Sequence, residues 1–135
     1  EMQAFLAAHP AAHVWQGAFI DRMDYAYAAA DLVVSRSGAG TVSELCLVAK
    51  PVLFVPSPNV AEDHQTKNAL ALVNKQAAIY VKDSEAEKTL VDVALTTVND
   101  ERRLKELSEN IAKLALPDSA KIIAQEVIKL AEAKN

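Results

Sequence analysis

Between Asp31 and Glu44 the chain reads Asp-Leu-Val-Val-Ser-Arg-Ser-Gly-Ala-Gly-Thr-Val-Ser-Glu, and two of its three glycines, Gly38 and Gly40, fall inside this stretch. The apolar run Leu32, Val33, Val34 leads into Ser35-Arg36-Ser37-Gly38-Ala39-Gly40, and a helical pattern starts at Thr41. The order is strand, tight turn, helix N-terminus. Glycine gives the backbone φ freedom and lets a ligand come close. The first amides of a helix have no internal partners and point outward at the positive end of the macrodipole. A phosphate or pyrophosphate suits such a place. The same residues also fit an ordinary βα turn, with Thr41 and Glu44 as a capping box. The stretch contains neither a full G-x-G-x-x-G nor a G-K-[ST] loop, so it does not by itself fix the ligand.

A second polar cluster, Asp63-His64-Gln65-Thr66-Lys67-Asn68, stands at the start of another helical pattern. Gln65 and Asn68 are three apart and His64 and Asn68 four apart, which puts them on neighbouring faces of the first turns. Amide side chains both donate and accept, which suits sugar hydroxyls; a solvated, capped first turn is the plainer alternative. Arg36 either adds positive charge to a bound diphosphate or pairs with a surface acid. Glu44 would be repelled by a pyrophosphate, but it suits hydrogen bonds from two vicinal ribose hydroxyls, a use that Rossmann-like folds make of an acidic residue. No Ser/His/Asp or Cys/His arrangement offers covalent catalysis. His64 has no ligand-spaced partners, so no metal site is expected, and no cofactor either. His9 and His13 read as structural or surface residues. The residues point to binding a nucleotide-sugar diphosphate.

These residues need a scaffold that brings their loops together. A helix is expected over 2–9, ending at Pro10, and a strand over 13–18. Asp21 is a candidate cap for a helix through Tyr25, Tyr27 and Ala30. Then come a strand at 32–36, a helix from Thr41 to about Val48, and Pro51-Val-Leu-Phe-Val-Pro56. That last run is continuously apolar, as in a strand covered on both faces. Asp63 is a candidate cap for a helix from His64 to about Asn74, followed by a strand at 77–81. Helical patterns fill 85–98 and 100–115, and a last helix starts near Asp118. Strands alternating with helices predict an α/β fold: a Rossmann-like, doubly wound parallel sheet with helices on both faces and right-handed crossovers. Ligands in such sheets sit beyond the carboxyl ends of the strands, so the loops at 18–20, 35–41 and 56–65 should share one edge.

At 135 residues the chain fits one domain with a real core. Its net charge of −4 and the absence of a Lys/Arg cluster argue against nucleic acid as a partner. No apolar run is long enough to span a bilayer, and the first residues lack the regions of a signal peptide. The single cysteine, Cys46, lies in an apolar stripe with Leu45, Val48 and Ala49 and reads as a buried small hydrophobe. A soluble protein of a reducing compartment is expected.

Three stretches taken together resemble the MurG family of bacterial GlcNAc transferases. They are Phe19-Ile20-Asp21-Arg22-Met23, the run from Ala29 through Arg36-Ser37-Gly38-Ala39-Gly40-Thr41 to Glu44, and Pro51–Pro56 with Asp63-His64-Gln65-Thr66-Lys67-Asn68-Ala69. The likeness runs from about residue 13 to the end, and R-S-G-A-x-T-x-S-E is its strongest local signature. The family has the two-domain GT-B glycosyltransferase fold and makes lipid II from lipid I in peptidoglycan synthesis. Its C-terminal domain holds the donor UDP-GlcNAc.

The resemblance implies that the backbone at Ile20 reads uracil. The turn Gly38-Ala39-Gly40-Thr41 would hold the diphosphate and Glu44 the ribose hydroxyls, with Arg36 and Ser37 counted among the substrate-binding residues beside the turn. Gln65, with His64 and Asn68, would address the GlcNAc hydroxyls. It further implies that residues 1–135 form a single donor-binding domain lacking its first strand and glycine-rich loop, with the acceptor domain and catalytic base absent. No residue here is expected to be catalytic, and the fragment alone should not transfer sugar. UDP-GlcNAc or UDP is the expected partner, with lipid I reached through the missing domain, at the inner face of the bacterial cell membrane. The Ile/Val stripe of the last helix offers a route to self-association. A non-catalytic donor-binding subunit that works with a membrane partner is the alternative, as is a related GT-B enzyme with another acceptor.

Overall fold

The computed structural model describes residues 15, 17, 18, 20–58 and 63–115. The helices expected over 2–9 and from Asp118 lie outside them, as does most of the strand expected at 13–18. Along the described chain come α1 (Met23–Ala29), β1 (Val33–Ser35), α2 (Ala39–Val48), β2 (Val52–Phe54), α3 (His64–Val73), β3 (Ile79–Tyr80), α4 (Asp83–Val98) and α5 (Glu101–Ala112). The strands form one parallel sheet in the order β1-β2-β3, each crossover carrying a helix. Val33 lies opposite Val52, Ser35 opposite Phe54, and Phe54 opposite Tyr80.

β2 is the centre. Val52, Leu53 and Phe54 are all fully buried, although side chains alternate between the faces of a strand, so both faces are covered there. Val52 and Phe54 belong to a core cluster with Leu45 and Cys46 of α2, Ala69 and Leu72 of α3, and Ile111 of α5. Burial pushes the Cys46 thiol above its usual range, in keeping with an unreactive packing residue. Fully burying side chains of this size stabilises a fold by about 1.5–3 kcal/mol each, so this cluster fixes which helix faces the sheet.

Two cap assignments differ from the sequence reading. α1 is preceded by Arg22, not Asp21, and no side chain caps it. Arg22 instead pairs with Asp24 at 2.8 Å and lies over the Tyr25 ring at 3.9 Å. α2 begins two residues before Thr41, with Gly38 as its N-cap, so Thr41 lies within the first turn and cannot form the capping box. Asp63 does precede α3, but its carboxylate accepts from the Thr66 hydroxyl at 2.7 Å rather than from a backbone amide. α5 has a genuine side-chain cap, with Asp100 accepting from the Arg103 amide at 3.0 Å.

Two helix exits turn through left-handed backbone without glycine: Ala49 (φ 55°) after α2 and Gln76 (φ 55°) after α3. At the second, Ala77 N–H bonds to Leu72 O and Gln76 N–H to Val73 O, the Schellman pattern. α5 touches both corners. Ser108 Oγ donates to Ala49 O at 2.6 Å, and Asn110 Nδ2 donates to Gln76 O at 2.9 Å.

Candidate functional site

Because Ser35 and Phe54 are in register, β1 and β2 release their following segments at the same edge of the sheet. From β1 comes Arg36-Ser37-Gly38 and then α2; from β2 come Val55-Pro56-Ser57. Side chains of α3 bind the two together. Gln65 Oε1 accepts from the amides of Ser57 at 2.8 Å and Ser37 at 3.2 Å. Ser37, fully buried, donates its hydroxyl to Gln65 O at 2.7 Å, and its carbonyl accepts from Asn68 Nδ2 at 3.0 Å. Donor, hydroxyl and acceptor of Ser37 are thus all engaged by α3, so the residue before the turn is clamped.

The turn itself is open. Gly38 is extended (φ −63°, ψ 152°), and neither described glycine of the turn has positive φ. The backbone freedom expected of these glycines is therefore not what the turn uses. A Cβ added at Gly40 would meet nothing within 4 Å, and one at Gly38 would lie 3.9 Å from Gln65 Nε2. What glycine supplies is clearance above the backbone. The first bond within α2 is Val42 N–H to Gly38 O, at 3.0 Å, so the amides of Ala39, Gly40 and Thr41 precede the helical ladder. No acidic residue lies in that first turn, which leaves the positive helix end uncompensated from within α2.

Glu44 lies farther along α2, exposed, and Tyr27 of α1 donates its hydroxyl to Glu44 Oε2 at 3.0 Å. Tyr27 is half-buried with its ring against the core. Burial, then the bond to Glu44, holds its phenol above the ordinary range, so it stays a neutral donor through physiological pH. The Arg36 guanidinium meets Asp83, at the start of α4, at 2.6 Å and Val55 O at 3.2 Å. His64 is the exposed first residue of α3. Ile20 lies in the irregular segment ahead of α1, exposed, and among the described residues no hydrogen bond ties it to the turn.

The structure therefore brings Ser37, Gln65 and Asn68 into one hydrogen-bonded group with Ser57, followed by Gly38 as the N-cap of α2 and by Ala39, Gly40, Thr41 and Glu44 on that helix. Three participants escaped the sequence reading: Tyr27, Ser57 and Asp83. Only Tyr27 carried a signal, as a tyrosine among the alanines of α1. Among the described residues no cluster of His, Cys, Asp or Glu is arranged to hold a metal ion, and no helix is long and apolar enough to cross a membrane.

A parallel α/β sheet whose first complete crossover opens on a glycine turn, with its polar groups at the carboxyl edge, is a Rossmann-like domain of the GT-B kind. The chain belongs to the family of the glycosyltransferase family 28 C-terminal domain, whose model matches residues 7–123. It is 80% identical over 117 residues to the UDP-N-acetylglucosamine--N-acetylmuramyl-(pentapeptide) pyrophosphoryl-undecaprenol N-acetylglucosamine transferase of Bacteroides thetaiotaomicron, a match covering 87% of this chain and 32% of the relative. The enzyme of the same name from Parabacteroides distasonis is 58% identical over 129 residues, covering 96% and 35%. A crystal structure of Acinetobacter baumannii MurG superposes with a TM-score of 0.78 at 32% identity, covering 95% of this chain and 37% of that one. The chain thus spans about a third of the length of these relatives.

Proposed function

We propose that the chain is the donor-binding part of an inverting glycosyltransferase that moves GlcNAc from UDP-GlcNAc to lipid I, giving lipid II for peptidoglycan. The observation that carries this reading is the clamped Ser37-Gly38 turn, with the first amides of α2 preceding the helical ladder at the carboxyl edge of the sheet. The diphosphate sits over Gly38, Ala39, Gly40 and Thr41. Glu44 accepts the ribose hydroxyls, the backbone at Ile20 meets the uracil, and His64, Gln65 and Asn68 line the sugar. Gln65 Nε2 lies beside Gly38 and is unused among the described residues, which leaves it a donor for the ligand.

In the reaction a hydroxyl of the acceptor attacks the anomeric carbon of GlcNAc as the bond to UDP breaks. The acceptor proton passes to a base that these residues do not supply. Negative charge grows on the leaving diphosphate, and the amides and dipole of α2 are already aimed at it. The same reading takes lipid I as the acceptor of the whole enzyme and places that enzyme peripherally on the inner face of the bacterial cell membrane. Shift mapping with UDP-GlcNAc, UDP and GDP-mannose tests the donor assignment. Shifts confined to 20, 36–44 and 63–68 with uridine preferred support it; equal response to GDP-mannose, or shifts elsewhere, overturn it.

A further inference from the structure

We infer that Tyr27 is a positioning residue for the nucleotide ribose, holding the Glu44 carboxylate so that its second oxygen faces the sugar diol; this rests on the donor-site reading of Glu44. Tyr27 is in contact with the core and with Glu44 at once. Its ring packs beside the cluster of Leu45, Phe54 and Ile111, while its hydroxyl reaches the helix surface and donates to Glu44 Oε2 at 3.0 Å. α1 has no buried residue, and of its side chains the Tyr27 ring packs against the core cluster.

A glutamate on an exposed helix face samples several rotamers, and ordering it on ligand binding costs free energy. The bond from a ring already fixed by packing removes much of that cost beforehand. It also divides the carboxylate: Oε2 is engaged, and among the described residues Oε1 has no hydrogen-bond partner. Of the amides at the other end of the site none comes from α1, so the Tyr27 hydroxyl bears on the ribose alone. Its loss should be read out by sugar hydroxyls and not by phosphate.

Titrating UDP and 2′,3′-dideoxy-UDP into the full chain and its Tyr27→Phe, Glu44→Ala and doubly substituted forms tests this. Phenylalanine retains the ring and hence the packing. The wild type should prefer UDP, Glu44→Ala should abolish the preference, and Tyr27→Phe should shrink it about 3- to 10-fold, as loss of one hydrogen bond implies. Binding of dideoxy-UDP should stay unchanged in Tyr27→Phe, and the double variant should prefer UDP no less than Glu44→Ala alone. A full preference in Tyr27→Phe, with Glu44→Ala impaired, overturns the role of Tyr27 and leaves the donor site standing. A preference surviving Glu44→Ala, or a wild type that does not distinguish or bind the two nucleotides, overturns the ribose role of Glu44 and the inference with it.

Discussion

Gln65 holds Ser37 from two directions: its side-chain oxygen accepts the Ser37 amide at 3.2 Å, and its backbone carbonyl accepts the Ser37 hydroxyl at 2.7 Å. A residue proposed to face the sugar is thus also the tie between the two loops that shape the site. Its amide group divides the tasks, with Oε1 turned to the protein and Nε2 to the turn.

Substitution at Gln65 separates these tasks. Gln65→Ala removes the acceptor of two part-buried amides and should destabilise the domain by about 2 kcal/mol. Gln65→Glu retains an acceptor oxygen, so its thermal midpoint should stay near wild type. It also places a negative charge beside Gly38, and UDP affinity should fall at least about tenfold. Thermal unfolding and UDP titration of both variants check this.

Ser37→Ala leaves the backbone bonds of the turn in place and removes only a buried hydroxyl, stranding one lone pair of Gln65 O. A loss of about 1–2 kcal/mol is expected in urea unfolding. Restoring a hydroxyl with threonine should not recover it in full, because the added methyl must be packed at a fully buried position.

The legible parts of this fold were those whose cause is local. β2 announced itself because a strand covered on both faces must be apolar at every position from Pro51 to Pro56. The helix at His64 and its polar first turn were equally plain. The start of α2 was misplaced because Thr41 and Glu44 match a capping pattern at the right spacing, whereas Gly38 takes the cap position without any side-chain signature. The contacts that build the site lie 28 residues apart in the case of Ser37 and Gln65, 17 for Tyr27 and Glu44, and 47 for Arg36 and Asp83. Such pairings follow from the register of β1 on β2 and from helix placement, which no short window of sequence contains.

Arg36 and Asp83 form an exposed pair, so the coupling between them should be modest. A double-mutant cycle with Arg36→Met and Asp83→Asn should give about 0.2–1 kcal/mol at low salt and less in 0.5 M salt, because exposed pairs are screened. With the guanidinium held by Asp83 and Val55 O, Arg36→Met should leave UDP affinity within about twofold, corresponding to under about 0.5 kcal/mol.

Tyr27 gives the domain an alkaline limit. Its folded-state pKa lies above the ordinary 10.0, from burial and then the Glu44 bond, so the folded state retains the phenolic proton longer than the unfolded chain. The resulting stabilisation is complete below pH 10.0 and declines as pH rises through the raised value. Unfolding measured from pH 8 to 11.5 should show wild type losing stability relative to Tyr27→Phe over the upper part of that range.

Ala49 holds a left-handed conformation that disfavours a Cβ. Ala49→Gly relieves that strain at some cost in unfolded-chain entropy, and a net gain of roughly 0.5 kcal/mol is expected in urea unfolding. Gln76, in the same conformation within a Schellman exit, should respond to glycine in the same direction.

The carbonyls of those two corners are both taken by α5, through Ser108 and Asn110. One late helix therefore latches the exits of both earlier ones. During synthesis from the N-terminus, the first latch cannot close until Ser108 has cleared the ribosome, nor the second until Asn110 has, so the crossovers that carry the turn and the Gln65 tie remain unsecured while most of the domain is already exposed. A paused ribosome holding the chain short of α5 should present a protease with both corners cleavable, and release of a few more residues should protect them together.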